Sequence, residues 1–220
     1  MATSTRTLRL LRGDLSNHWA DAIATSANRY LSGNASPGHW RFTGRENVDG
    51  ALRRAGGKEL DRLVAAALPD KPLEPGHAHR TASAGALAQS CSWIIHCCAP
   101  DGLYGEQTES GTRLLYQTYV AVIEAAAATD SRSLACPAIG CGVQGHRPAA
   151  AAREAFAAAR CWLDGGIAQS SRLSLLEFVC FADDVWAAWP PGAIKALGRP
   201  PDERSEQSLI WHARRERLAC

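Results

Sequence analysis

The feature that most limits what this chain can become is its alternation of short, unbroken apolar runs with longer segments of helical periodicity. TLRLL (7–11), DAIATSA (21–27), SWIIHCCA (92–99), LACPAIG (134–140) and LSLLEFVCF (173–181) read as strands. Between them, Val48, Leu52, Ala55, Leu63 and Val64 fall on one face of a helix, although Gly56 and Gly57 weaken its middle. Leu115, Tyr119, Val122, Ile123 and Ala126 keep helical spacing over 111–128, and 147–164 is an alanine-rich helix. Strands that are apolar on both faces must be covered on both faces. The pattern predicts an α/β fold with a largely parallel sheet between two helical layers. Ligands of such sheets sit beyond the carboxyl ends of the strands.

Composition narrows the function classes. The 220 residues are 46% hydrophobic and 21% charged, which suits one domain with a sizeable core and a possible appendage. A net charge of +2 gives no electrostatic case for a duplex nucleic acid or an anionic membrane as the main partner. No apolar run approaches the roughly 20 residues of a membrane helix. MATSTRTLRLLRGD lacks the apolar core of a secretory signal, and an organelle-targeting reading of it is a weak alternative. The eight cysteines form no CxxC pair and match no structural zinc spacing. They are expected as reduced, mostly buried thiols of an intracellular protein, cytoplasmic or nuclear. No metal or cofactor is expected, and the sequence does not specify an oligomeric state.

Residues 1–190 are expected to form the domain. A loop rich in Pro, Gly and His occupies 69–80, and Asp183 and Asp184 can cap a last short helix bearing Val185, Trp186 and Trp189. PPGAIKALGRPP then reads as a linker, and DERSEQSLIWHARRERL as a charged tail of helical character. A partner contact through Leu209, Ile210 and Trp211 is the alternative for that tail.

The chemistry concentrates at ACPAIGCGVQGHR (135–147), where a strand hands over to a helix through Gly140, Gly142 and Gly145. Two readings stand. The glycines make a tight turn, or successive amides of Gly140, Cys141, Gly142, Val143, Gln144 and Gly145 converge on an anion beside a helix start. No GxxxxGK[ST] occurs, and no GxGxxG follows the first strand, which argues against a P-loop triphosphatase and a dinucleotide dehydrogenase.

Five segments, in order, resemble those of the macrodomain family, whose members bind ADP-ribose. GDL (13–15) is similar to its Gly-Asp-Ile, and DAIATSAN (21–28) to its second strand ending in Asn-Ala-Ala-Asn. NVDGALRRAGG (47–57) resembles its Val-Asp-Gly helix start, and WIIHCCAP (93–100) its Val-Ile-His-Thr-Val-Gly-Pro. CPAIGCGVQG (136–145) resembles Pro-Ala-Ile-Ser-Thr-Gly followed by an aromatic and Gly. The resemblance spans about 7–190. It implies a three-layer α/β/α fold around a central mixed, largely parallel sheet, and an activity of the MacroD-like type that removes ADP-ribose from acidic side chains or deacylates O-acyl-ADP-ribose. The implied partner is ADP-ribose or an ADP-ribosylated protein.

It also implies roles. Asp14 accepts from the adenine amino group, the Leu15 amide assists, and Phe181 stacks on the ring. The diphosphate lies between the Gly140–Gly145 loop and the helix that starts near Asn47 and Val48. Asn28 holds a distal ribose hydroxyl, and Asp49 positions or deprotonates a water, unless the substrate's own phosphate does so. Each has a plainer alternative: a turn role for Asp14, core packing for Phe181, helix capping for Asp49.

Departures from the family pattern favour a second function, a non-catalytic reader of ADP-ribose. Thr25 replaces the first Asn, Arg53 a common His, and Gln144 an aromatic. The stretch between Asn28 and Val48 is about ten residues longer than usual and brings Trp40, Arg41, Phe42 and Arg45. Trp40 or Phe42 could replace the missing aromatic over the distal ribose. Cys141 could act as a nucleophile only if its thiol were acidified. His96 is expected as a core histidine, and His146 as either a phosphate contact or a helix-entry residue.

Overall fold

The computed structural model describes residues 5–33, 47–67, 71–102 and 109–213. Eight strands form one sheet: β1 (Thr7–Arg12), β2 (Ala22–Ser26), β3 (Ala78–Ala82), β4 (Trp93–Cys97), β5 (Ser133–Pro137), β6 (Leu175–Cys180), β7 (Glu203–Arg204) and β8 (Ser208–His212). Their order is β3-β4-β2-β5-β6-β1-β8-β7. The five central strands, β4 to β1, run parallel, while β3 and the β8–β7 pair join antiparallel at the two edges. Four helices pack on the sheet: α1 (Val48–Ala66), α2 (Glu109–Ala127), α3 (Pro148–Leu163) and α4 (Asp183–Leu197).

Strand alternation divides the core into two. Ala22, Ala24, Ile95, Cys97, Leu134, Cys136, Phe178 and Cys180 face α2, α3 and α4. Ile23, Ile94, Ala135 and Val179 face the opposite layer, which α1 covers together with a 3-10 turn at Gly85–Gln89. This is the three-layer α/β/α arrangement with a mixed, largely parallel sheet. Gly57 breaks the helical path of α1 with φ +61, where the glycine pair weakened the sequence pattern. The 3-10 turn sits against that break: a Cβ on Gly85 would stand 2.7 Å from the Gly56 carbonyl oxygen.

Three segments differ from expectation. Ala78–Ala82, placed in a loop by its Pro, Gly and His neighbours, is the antiparallel edge strand β3. PPGAIKAL is not a linker but the second half of α4, with Pro190 and Pro191 inside the helix. Val185, Trp189, Ala193 and Leu197 recur every four residues, all are buried, and their packing outweighs the missing amides. The described part of the tail is not helical either. Ser208–His212 pairs antiparallel with β1, and Leu209 and Trp211 point inward in strand alternation. Residues 214–220 lie outside the described residues.

Candidate active site

The site begins with a gap in the sheet. β2 pairs with β4 as far as Ser26↔Cys97, and β5 with β6 as far as Pro137↔Val179. Between β2 and β5 the pairing is confined to Ala22↔Leu134 and Ile23↔Ala135. The two strands part beyond that point, and the crevice opens at their carboxyl ends. A cavity of about 750 Å³ occupies it.

Ten of the residues singled out from the sequence line this one cavity: Asp14, Leu15, Asn47, Val48, Gly140, Cys141, Gly142, Val143, Gln144 and Phe181. The β5–α3 loop supplies five of them. Gly140 has φ +86, and a Cβ there would lie 2.9 Å from the His146 ring, so only glycine fits the turn. The loop closes on itself through Gly145 N–H to Gly142 O (3.0 Å) and His146 N–H to Gly140 O (2.9 Å). Gly145, at φ +70, closes the turn and does not line the cavity. Among the described residues, the amides of Gly140, Gly142, Val143 and Gln144 donate to no protein acceptor. Runs of free amides on short loops are a common anion-binding arrangement.

The start of α1 lines the same cavity. Asn47 caps it, its side-chain oxygen accepting from Gly50 N–H at 2.8 Å, and Val48 and Ala51 continue along the wall. The positive end of the helix thus faces the same space as the loop amides. Asp14, also on the cavity wall, caps the 3-10 turn Leu15–Asn17. Its Oδ1 accepts from Ser16 N–H (2.9 Å) and Ser16 O–H (2.7 Å), while Oδ2 has only a long contact to Asn17 (3.5 Å). Phe181 is 59% exposed at the cavity wall, not packed in the core.

The two residues expected to act on the bond, Asp49 and Asn28, are not among those lining the cavity. Asp49 is 1% exposed. Arg53 Nε donates to its Oδ2 at 3.3 Å, and Thr25 O–H reaches Oδ1 at 3.5 Å. The same guanidinium bonds the Leu31 carbonyl and Asp61. Asn28 organises its own loop: Oδ1 accepts from Tyr30 N–H (3.0 Å), and Nδ2 donates to Gly33 O (2.9 Å). Trp40, Arg41, Phe42 and Arg45 lie outside the described residues.

Of the other candidates, His146 is buried, bonds the Pro100 carbonyl at 2.9 Å and so anchors the loop, and it is not among the residues lining the cavity. His96 is buried, bonds Thr81 at 2.9 Å, and is held neutral by burial, then by Arg53 and His79, with its pKa lowered to about 3. Burial pushes the Cys141 thiol up to about 12, the opposite of what a nucleophile needs. The described cysteines are all free thiols. Among the described residues no group of three or more His, Cys, Asp or Glu is placed to hold a metal, and no helix is long and apolar enough to cross a membrane.

Sequence reasoning missed Ser26, Arg54 and Asp183, which also line the cavity. Arg54 follows Ala51 by three positions on α1, a helical spacing that could have found it. Ser26 left a signal too, as the hydroxyl within TSAN.

Residues 26–155 match the family model of the Macro domain. An O-acetyl-ADP-ribose deacetylase of Citrobacter rodentium is 30% identical over 178 residues, covering 80% of this chain and 89% of that protein. One from Salmonella gallinarum is 34% identical over 152 residues, covering 69% and 76%. Among solved structures, the Oceanobacillus iheyensis macrodomain with MES bound superposes with a TM-score of 0.70 at 21% identity, covering 88% of this chain and 93% of that one. A Trypanosoma brucei macrodomain in complex with ADP-ribose gives 0.65 at 23% identity, covering 83% and 67%.

Proposed function

The chain belongs to the macrodomain family, and from that premise we propose that it binds ADP-ribose in the β2–β5 crevice and hydrolyses esters of its distal ribose. The substrates are O-acyl-ADP-ribose or a protein carboxylate bearing ADP-ribose. The observation behind this reading is the set of amides at Gly140, Gly142, Val143 and Gln144 that are unpaired among the described residues, on a loop that lines one cavity together with the start of α1. A diphosphate fits between two such positive walls. Phe181 offers a face for adenine, and Asp14 Oδ2 an acceptor for its amino group.

The bond cleaved is an ester. Water adds to the carbonyl carbon, the ribose oxygen leaves, and the products are the free acid and ADP-ribose. The chain contributes orientation: the diphosphate is gripped at a distance, and that binding holds the ester in place. Asp49 is ion-paired with Arg53 and lies outside the cavity wall. This favours a water held by the substrate's own diphosphate, with Asp49 and Asn28 shaping the α1 entry and the 28–33 loop. The relatives named as deacetylases support the reaction class.

The same burial of Asp49 and the local engagement of Asn28 favour a second reading, a reader that binds without turnover. Single-turnover release of acid from O-acetyl-ADP-ribose at saturating enzyme separates the two. The hydrolase reading expects release by the native chain. It expects less than a tenfold slowing in Asp49→Asn, against the 10²–10⁴-fold loss of a true general base. No release by the native chain leaves the reader.

A further inference from the structure

We propose that the Ser26 hydroxyl is a ligand-binding group of this cavity, donating to an oxygen of the diphosphate; this rests on the ADP-ribose reading above. Ser26 is the last residue of β2 and stands where β2 and β5 separate. It lines the cavity together with Pro137 and Ala138 of the parted strand and with Asn47 and Val48 of the α1 entry. Its Oγ is buried and, among the described residues, has no hydrogen-bond partner.

That condition sets it apart from the buried threonine hydroxyls. Thr25 reaches Asp49, Thr81 bonds His96, and Thr118 bonds the Leu114 carbonyl. A buried hydroxyl without a partner destabilises the fold that contains it. At the floor of a cavity the cost is recovered when an occupant supplies an acceptor. The segment that TSAN (25–28) resembles has Ala at this place, so the hydroxyl is a property of this chain. Ser26 lines the same cavity as the Gly140–Gln144 loop and the start of α1, whose backbone amides donate. The occupant such donors take is an anion, and in ADP-ribose the anion is the diphosphate.

The test is calorimetric titration of the native chain, Ser26→Ala and Ser26→Cys with ADP-ribose, ADP and adenosine, beside thermal melts of the free proteins. Both variants are expected to bind ADP-ribose and ADP about tenfold more weakly and adenosine as the native chain does. The free Ser26→Ala protein is expected to melt at the native temperature or above it, since an unsatisfied group has been removed. Equal ADP-ribose affinity in the native chain and Ser26→Ala overturns this assignment and leaves the parent reading intact. An equal loss for adenosine, or a lower melting temperature of free Ser26→Ala, also overturns it, because the hydroxyl then serves the base or the fold. No ADP-ribose binding by the native chain removes the parent reading and this one together.

Discussion

Arg53 occupies the place of a common family histidine, and the consequence is visible in its bonds. Its guanidinium ties Asp49 to the Leu31 carbonyl and to Asp61. Asp49 is 1% exposed, so removing the Arg53 guanidinium takes an ion-pair partner from a buried charge. Arg53→Ala is expected to lower stability by about 3 kcal/mol, read from urea melts. Arg53→Ala combined with Asp49→Asn is expected to recover part of that loss, because the carboxylate that needed the cation is gone. The ion pair was not legible in the sequence. Spacing of i and i+4 allowed it, but only the fold shows that Asp49 turns inward. His96 gives a second residue-scale expectation. Its folded pKa is about 3 against an ordinary 6.5. The unfolded chain therefore takes up this proton first as pH falls. The contribution is fully present above pH 6.5 and is lost as pH drops from there towards 3. In His96→Gln, urea midpoints between pH 7 and pH 4 should fall less steeply than in the native protein.

At the scale of single elements, the β5–α3 loop shows what a sequence motif can and cannot specify. CPAIGCGVQG announced a turn between strand and helix, and the structure has one. The motif did not distinguish the duties of its glycines. Gly140 has φ +86 and the His146 ring against it, whereas a Cβ on Gly142 would meet nothing within 4 Å. Gly140→Ala is expected to cost about 1–3 kcal/mol and to weaken ADP-ribose binding, because the loop amides are re-aimed. Gly142→Ala should change stability by less than about 0.5 kcal/mol. Thermal melts of both variants, with and without ADP-ribose, check the contrast. The same limit explains α4. Pro190 and Pro191 signal a helix stop by local rule, yet the four-residue apolar repeat through Trp189 and Ala193 continues across them. A Cβ on Gly192 would come within 2.7 Å of the Ala152 Cβ, so α4 lies close on α3 at that point. Local chemistry argued for a break, and tertiary packing decided otherwise. The central strands were legible because they are buried on both faces and so read as plain apolar runs. The edge strand β3 was not, because half of it is polar and its neighbours are turn formers.

The whole molecule adds a reason for the tail to be a strand. The parallel core would otherwise end on β1, leaving a row of unpaired peptide groups at a sheet edge. β8 covers that edge, and β7, only two residues long, ends the sheet. In the sequence this segment looked helical because charges flank it, and the alternation of Leu209 and Trp211 is too short to outweigh them. Trp211 is fully buried and packs against Phe156, with ring centroids 6.2 Å apart. It lies on the layer of α2 to α4, and the crevice belongs to the parted strands β2 and β5. Trp211→Ala is therefore expected to destabilise the protein by about 3–5 kcal/mol, a fall of roughly 10 °C in melting temperature for a chain of this size. Its ADP-ribose affinity, titrated well below that transition, should equal that of the native chain. The opposite result, a stable Trp211→Ala protein with weakened binding, would mean that the last strand serves the ligand and not the sheet edge.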